Sequence, residues 1–200
     1  MSTVISSALL LVVPLLFAAI GGLVHRASGV VNIGLEGQML AGALVGILLS
    51  GLTGSWLVGI VGAMLVGSVT GLLMTLVITR LRANPIIVGL GVNILLAGII
   101  GFVLKWELGV SGTLRIEGLD RVPRWTIPAL ENIPVLDELL NHKDVLFFVA
   151  LALIPATAWM LRNTSFGLRL RACGDAEAAA ASLGVPVNRM REYSGMIAGA

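Results

Sequence analysis

Charge is the scarcest property of this chain. Asp, Glu, Lys and Arg make up 12% of its 200 residues, while 57% are hydrophobic; soluble domains carry about 25% and 45–50%. Together with a mean hydropathy of +1.00, that scarcity excludes a protein that folds in water. The net charge is only +2 and aromatics make up 5%, so there is no basic surface interleaved with stacking rings, and nucleic-acid binding is excluded. Cys173 is the single cysteine, which rules out a disulfide within the chain. Met1–Ser7 lacks Lys and Arg, so the first apolar run lacks the basic flank of a secretory signal and reads as a retained helix. No Walker A sequence, HExxH, CxxC or GxSxG occurs, which removes the usual motifs for nucleotide hydrolysis, metalloprotease, thiol redox and serine hydrolase chemistry. The two histidines, His25 and His142, are expected in loops on opposite sides and cannot share a metal.

What remains is apolar length. A helix needs about 20 apolar residues to cross about 30 Å of hydrocarbon. Five runs qualify: 5–24, 30–49, 56–79, 85–104 and the shorter 145–161. A sixth begins near Tyr193 and reaches the end of the sequence. The expected fold is all-α: a polytopic transmembrane helical bundle forming one domain over 1–200. A loop covers 105–144 and a second polar segment covers 162–192.

Orientation follows from the basic residues of the loops. His25 and Arg26 follow the first span, Arg80 and Arg82 follow the third, and 162–192 holds five arginines against three acids. The turn at Ser50–Ser55 has no charge. Placing the basic turns in the cytoplasm puts the N-terminus outside. The 105–144 loop, with five basic and seven acidic residues, then lies outside as well.

Small residues recur at four-residue spacing on the third span (Gly59, Ala63, Gly67, Gly71) and the fourth (Gly89, Asn93, Ala97, Gly101). Such stripes let helices approach closely in lipid. Asn93 must either make an interhelical hydrogen bond or belong to a pore wall. Glu36 is the only acid inside an apolar span. An intramembrane carboxylate is a functional candidate by default. Alternatively, Asn32 caps the second helix and Glu36 sits in its first turn, at the positive end of the dipole. Gly34 and Gly37 also permit a broken helix lining a cavity. Asn84-Pro85 reads as a cap followed by proline at the first helical position. In the second polar segment, Asp175–Gly184 reads as a two-turn helix with Asp175 as N-cap, Glu177 in its first turn, Gly184 at C′ and Pro186 as a stop. Asn188 is placed to cap the next helix. The Asp175–Gly184 helix is either a plain linker or a docking element for a cytoplasmic partner.

The run from Gly29 to Met39, containing Asn32-Ile33-Gly34-Leu35-Glu36-Gly37-Gln38, resembles the signature of permease subunits of ABC importers for branched-chain amino acids, ribose-type sugars and nucleosides. It looks most like the nucleoside and simple-sugar group. Asn84-Pro85 followed by Gly89–Asn93, and Ser165–Gly174 followed by the alanine-rich helix and Gly184, resemble later segments of the same family, in the same order. The resemblance covers nearly the whole chain. It implies a transport subunit that is not itself an enzyme and binds no cofactor, with ATP and Mg held by a partner ATPase. It also implies a second permease subunit forming a heterodimeric pore, an extracytoplasmic binding lipoprotein, and alternating access for a small polar solute, a nucleoside before a simple sugar or a branched-chain amino acid. Further C-terminal spans are expected. Asn32, Glu36, Gln38 and Asn93 become candidates for the translocation path. Asp175, Glu177, Ala178, Ala179 and Gly184 become candidates for coupling to the ATPase, although Gly184 follows Glu177-Ala178-Ala179 after four residues where the usual motif has three. The competing reading is a secondary transporter without an ATPase, with Glu36 as a proton site.

Overall fold

The computed structural model describes residues 2–106, 109, 122–125 and 143–200. Among these residues the chain forms eight helices: α1 (Ser2–Ala27), α2 (Leu35–Thr53), α3 (Trp56–Arg80), α4 (Pro85–Trp106), α5 (Val145–Asn163), α6 (Ser165–Asp175), α7 (Glu177–Ser182) and α8 (Val187–Gly199). Between α4 and α5, two-residue strands β1 (Arg124–Trp125) and β2 (Lys143–Asp144) pair antiparallel, with Arg124 opposite Asp144. Most of the expected 105–144 loop, including His142, lies outside the described residues.

Helices α2 to α5 are each long and apolar enough to span a bilayer. With 19 to 25 residues, they extend about 28–38 Å at 1.5 Å per residue. The protein is a membrane-embedded helical bundle. Many large apolar side chains face outward, among them Ile87, Ile94, Leu95 and Phe102 of α4, as a hydrocarbon surrounding permits. Each basic turn lies at one end of the bundle. Arg80, ending α3, pairs with Glu192 near the start of α8 at 2.8 Å, and Arg191 reaches the backbone just beyond α1. Beneath that end, α6, α7 and α8 close a small core of Val24, Leu161, Leu170, Cys173, Ala180, Val187 and Met190.

Several expected boundaries move, each for a local reason. The second helix begins at Leu35 rather than Val30, because Gly29 turns the chain with φ +86° and residues 30–33 are not helical. It runs to Thr53, where Gly54 in the left-handed conformation ends it. Asp175 is not an N-cap but the last residue of α6; the break falls at Ala176 (φ −148°, ψ 76°), and α7 follows with no side-chain cap. The end of α7 follows the expected pattern. Gly184 has φ +80°, its N–H donates to Ala181 O, and that of Val185 donates to Ala180 O, the paired bonds of a Schellman motif. The last helix begins at Val187, with Pro186 and not Asn188 at the cap position. His25 lies in the last turn of α1 and is fully buried, not in a loop; its Nε2 is 3.2 Å from Thr75 Oγ1.

The closest crossing joins α3 and α8. Gly67 and Gly71 face Gly199 and Gly195, running antiparallel. A Cβ at any of the four would collide with the facing helix, mostly with its carbonyl oxygens. Without a hydrophobic force between helices in lipid, such backbone proximity is what holds them together. Gly71→Ile should therefore destabilise the bundle by about 1–3 kcal/mol, the usual cost of overpacking, seen as a lower unfolding temperature in detergent. Gly98→Ala, where nothing lies within 4 Å of the added carbon, should leave that temperature unchanged.

Candidate functional site

The first candidate region is the start of α2. Helices α2 and α3 run antiparallel from the Gly54–Ser55 turn, which brings the first turn of α2 level with Met74; Gln38 Nε2 contacts Met74 Sδ at 3.8 Å. From Met74, α3 continues to Arg80, about 9 Å further at 1.5 Å per residue. The start of α2 is thus recessed from the charged end of the bundle. The non-helical residues 28–34 fill the gap, with Val30 packed on Met74 and Ile78.

A helix start at that depth leaves backbone N–H groups without water. Side chains supply acceptors for the N–H groups of Gly34 and Gly37. Asn93 Oδ1, from α4, accepts from Gly37 N at 2.8 Å, and Asn93 Nδ2 donates to Ile33 O at 2.9 Å. Asn32 Oδ1 accepts from Gly34 N at 2.9 Å, and Asn32 Nδ2 donates to Gln38 Oε1 at 3.2 Å. The cap position belongs to Gly34, which has no side chain, so Asn32 does not cap α2 itself. That task passes to Asn93, two turns into the neighbouring helix. The interhelical hydrogen bond open to Asn93 is thus made, and both of its polar atoms are used.

Three of the four expected path residues are therefore brought together. Asn32 and Gln38 are buried, and Asn93 is half-buried. Glu36 stands apart: it is in the first turn of α2, exposed, and without an ion pair or hydrogen bond among the described residues. Its carboxylate lies at the positive end of the α2 dipole, next to the polar knot and facing away from it.

The second candidate region is α7. Glu177 opens it, Ala178 and Ala179 are exposed, and Ala180 is its only buried residue. Leu183, just past its end, is 83% exposed. Asp175 is exposed on the preceding helix and Gly184 forms the αL turn. Sequence reasoning missed the residue that holds α7 in place. Arg191 of α8 pairs with both carboxylate oxygens of Glu177 at 3.2 and 2.8 Å, and its Nε donates to Ser28 O at 3.2 Å. Glu177 and Arg191 are fourteen residues apart, with a turn between, so no helical spacing announces the pair. Nearby, Ser28 and Ser194 are fully buried with hydroxyls 2.8 Å apart. Cys173 is also fully buried; burial pushes its thiol pKa up, partly offset by Arg191.

Among the described residues no group of His, Cys, Asp and Glu could hold a metal ion. Residues 4–200 match the family described as branched-chain amino acid transport system / permease component. The chain belongs to that family. It is 32% identical, over its whole length, to the guanosine ABC transporter permease protein NupQ of Bacillus subtilis. Over 98% of its length it is 31% identical to the nucleoside ABC transporter permease protein NupC of Lactococcus lactis. It is 26% identical over 92% of its length to TsgC13 of Haloferax volcanii, a permease protein named, provisionally, for glucose. The match spans 64%, 63% and 55% of those three relatives. No solved structure matches the chain. The resemblance drawn from the Asn32–Gln38 segment is thus borne out at the level of the family.

The geometry at Asn93 is open to test. Asn93→Leu leaves Gly37 N–H and Ile33 C=O without partners, each costing about 1–3 kcal/mol. The permease should unfold in detergent at a clearly lower temperature. Asn93→Asp keeps the acceptor for Gly37 and should fall between.

Proposed function

We propose that this chain is a transmembrane subunit of an ATP-driven importer for nucleosides. The observation that carries this reading is α7: a short, small-residue helix at the basic end of the bundle, exposed on every residue but Ala180 and followed by an exposed leucine. Such a surface suits the groove of a cytoplasmic ATPase subunit, which would hold ATP and Mg and hydrolyse the nucleotide; this chain would bind neither. The excess of Lys and Arg at the α7 end favours the cytoplasm for that end, and hence an outside N-terminus. The nucleoside assignment is supported by the names of two of the relatives reported above, at 32% and 31% identity.

The reading also includes a second permease subunit and an extracytoplasmic lipoprotein that delivers the solute. The outward apolar face of α4, with Ile94, Leu95, Gly98, Ile99 and Phe102, offers surface for the former. In alternating access the recessed start of α2 would line the path, its shape held by Asn32, Gln38 and Asn93, whose polar atoms are engaged within the fold, while Glu36 supplies a charge at the helix start. Polar residues in lipid face the bundle interior or a water-filled cavity, which supports that placement.

The decisive experiment reconstitutes the full-length permease with its ATPase and binding protein in proteoliposomes. Nucleoside uptake should require ATP and persist when the proton gradient is collapsed. Uptake driven by an ion gradient without ATP would overturn the reading in favour of a secondary transporter. Ala179→Trp should reduce copurification of the ATPase by about tenfold, equivalent to 1.4 kcal/mol of binding; undiminished capture would remove α7 from the interface.

A further inference from the structure

We infer that Arg191 is a positioning residue that carries movement of α7 to the recessed start of α2. The inference rests on the proposed coupling to an ATPase, and it names the physical link. Among the described residues, the only side-chain hydrogen bonds leaving α7 run from Glu177 to Arg191. The same guanidinium donates to Ser28 O. Ser28 opens the non-helical segment that ends at Gly34, whose N–H is held by Asn32, where the polar knot with Gln38 and Asn93 begins. One planar cation thus joins the exposed helix to the buried segment. Arginine suits this task because its donors are fixed in one fork and can serve two acceptors at once.

The neighbouring contacts make the link stiff at one end and free at the other. Ser28 is locked on its far side by Ser194 Oγ at 2.8 Å and by its own hydroxyl donating to His25 O at 2.6 Å. A Cβ on Gly29 would lie 3.1 Å from Gly174 Cα and 3.5 Å from Arg191 Nη2, so the chain turns within touch of both α6 and the guanidinium. At the other end, the Glu177 side chain is 59% exposed while that of Arg191 is 17% exposed. A partner covering α7 would remove water from Glu177 and strengthen its hold on Arg191, since the attraction rises as the local dielectric falls.

The test uses the full-length permease with its ATPase and a reporter cysteine at Val31→Cys, an exposed position in the linking segment. Cys173 is buried and serves as an unreactive background, checked in protein without the reporter. The maleimide labelling rate is compared without nucleotide and with trapped ATP. In the otherwise unaltered protein it should change by about fivefold or more, the lower end of coupling between linked sites. Arg191→Gln should abolish that change, measured in the fraction of the variant that retains its ATPase. Glu177→Ala removes the acceptors at the exposed end of the link, leaves the buried contacts intact, and should also abolish the change. A nucleotide-dependent change that survives Glu177→Ala or Arg191→Gln overturns the inference, as does its absence from the unaltered protein. Failure of any ATPase to copurify with the unaltered chain instead overturns the proposed function.

Discussion

Backbone hydrogen bonding away from water is the constraint on which this structure depends. A helix that begins at the bundle surface can leave its first N–H groups to solvent; α2 begins below that surface and cannot. Each group freed by the non-helical residues 28–34 needs a partner inside the protein, because an unsatisfied polar group in hydrocarbon costs several kcal/mol. The partners found are short amides: Asn93 for Gly37 and Ile33, and Asn32 for Gly34. The requirement fixes the height of α4 beside α2, since Asn93 reaches both Gly37 N and Ile33 O only at one register. It also explains why glycines crowd the region. A Cβ on Gly37 would lie 3.0 Å from both Asn93 Cα and Oδ1, and one on Gly89 would lie 3.0 Å from Gly34 N. The polar knot and the close backbone contact are one solution to one problem.

Elsewhere in the bundle, close backbone approach adds to the small apolar cores. The facing glycines of α3 and α8 allow the backbones to meet, and the Arg80–Glu192 pair at 2.8 Å marks the end of the same crossing. Thr75 joins it from the side, bonding back to Gly71 O at 2.8 Å while its hydroxyl meets His25. Helix α4 contrasts with this: it touches α2 through Asn93 and the Gly89 side and leaves Ile94, Leu95 and Phe102 outward. The described residues therefore form a tight set, α1, α2, α3 and α8, flanked by a helix with a free apolar face.

Much of this was legible before any coordinates. Length and hydropathy located the spans because a bilayer imposes both, and Asn84-Pro85 marked the start of α4 because proline needs no N–H there; Asn84 Oδ1 does accept from Ile86 N. Gly184 was readable because a left-handed residue after an alanine-rich helix has few alternatives. The start of α2 was misread by five residues because hydropathy does not distinguish an extended apolar segment from a helical one: Val30, Val31 and Ile33 satisfy either. Asp175 was misread as a cap because the preceding residues 165–174 can also form a helix, and nothing local shows that the break falls after it. The Arg191–Glu177–Ser28 link was invisible for another reason. It joins residues 14 and 163 positions apart, and periodicity carries no information at that range.

The two interruptions of the apolar pattern, the recessed segment and α7, were read as separate features, and the coordinates connect them. Movement in such a bundle has to pass through joints, because the helices are stiff and their crossings at Gly67, Gly71, Gly195 and Gly199 have no spare room. Between α7 and the start of α2 the joints among the described residues are the turn at Gly29, the helix start at Gly34, the break at Ala176 and the αL turn at Gly184. Three of the four sit at glycines, which accept the necessary dihedral angles at little steric cost. Arg191 stands between the first and the third, touching Ser28 on one side and Glu177 on the other. A force applied at α7 is passed to the Gly29 joint by this charged fork, beside the packing of Ala180 and of Gly174. Below that joint the chain goes straight to Asn32, whose side chain holds both Gly34 and Gln38. A displacement passed through Arg191 acts first on the hydrogen bonds that set where α2 begins.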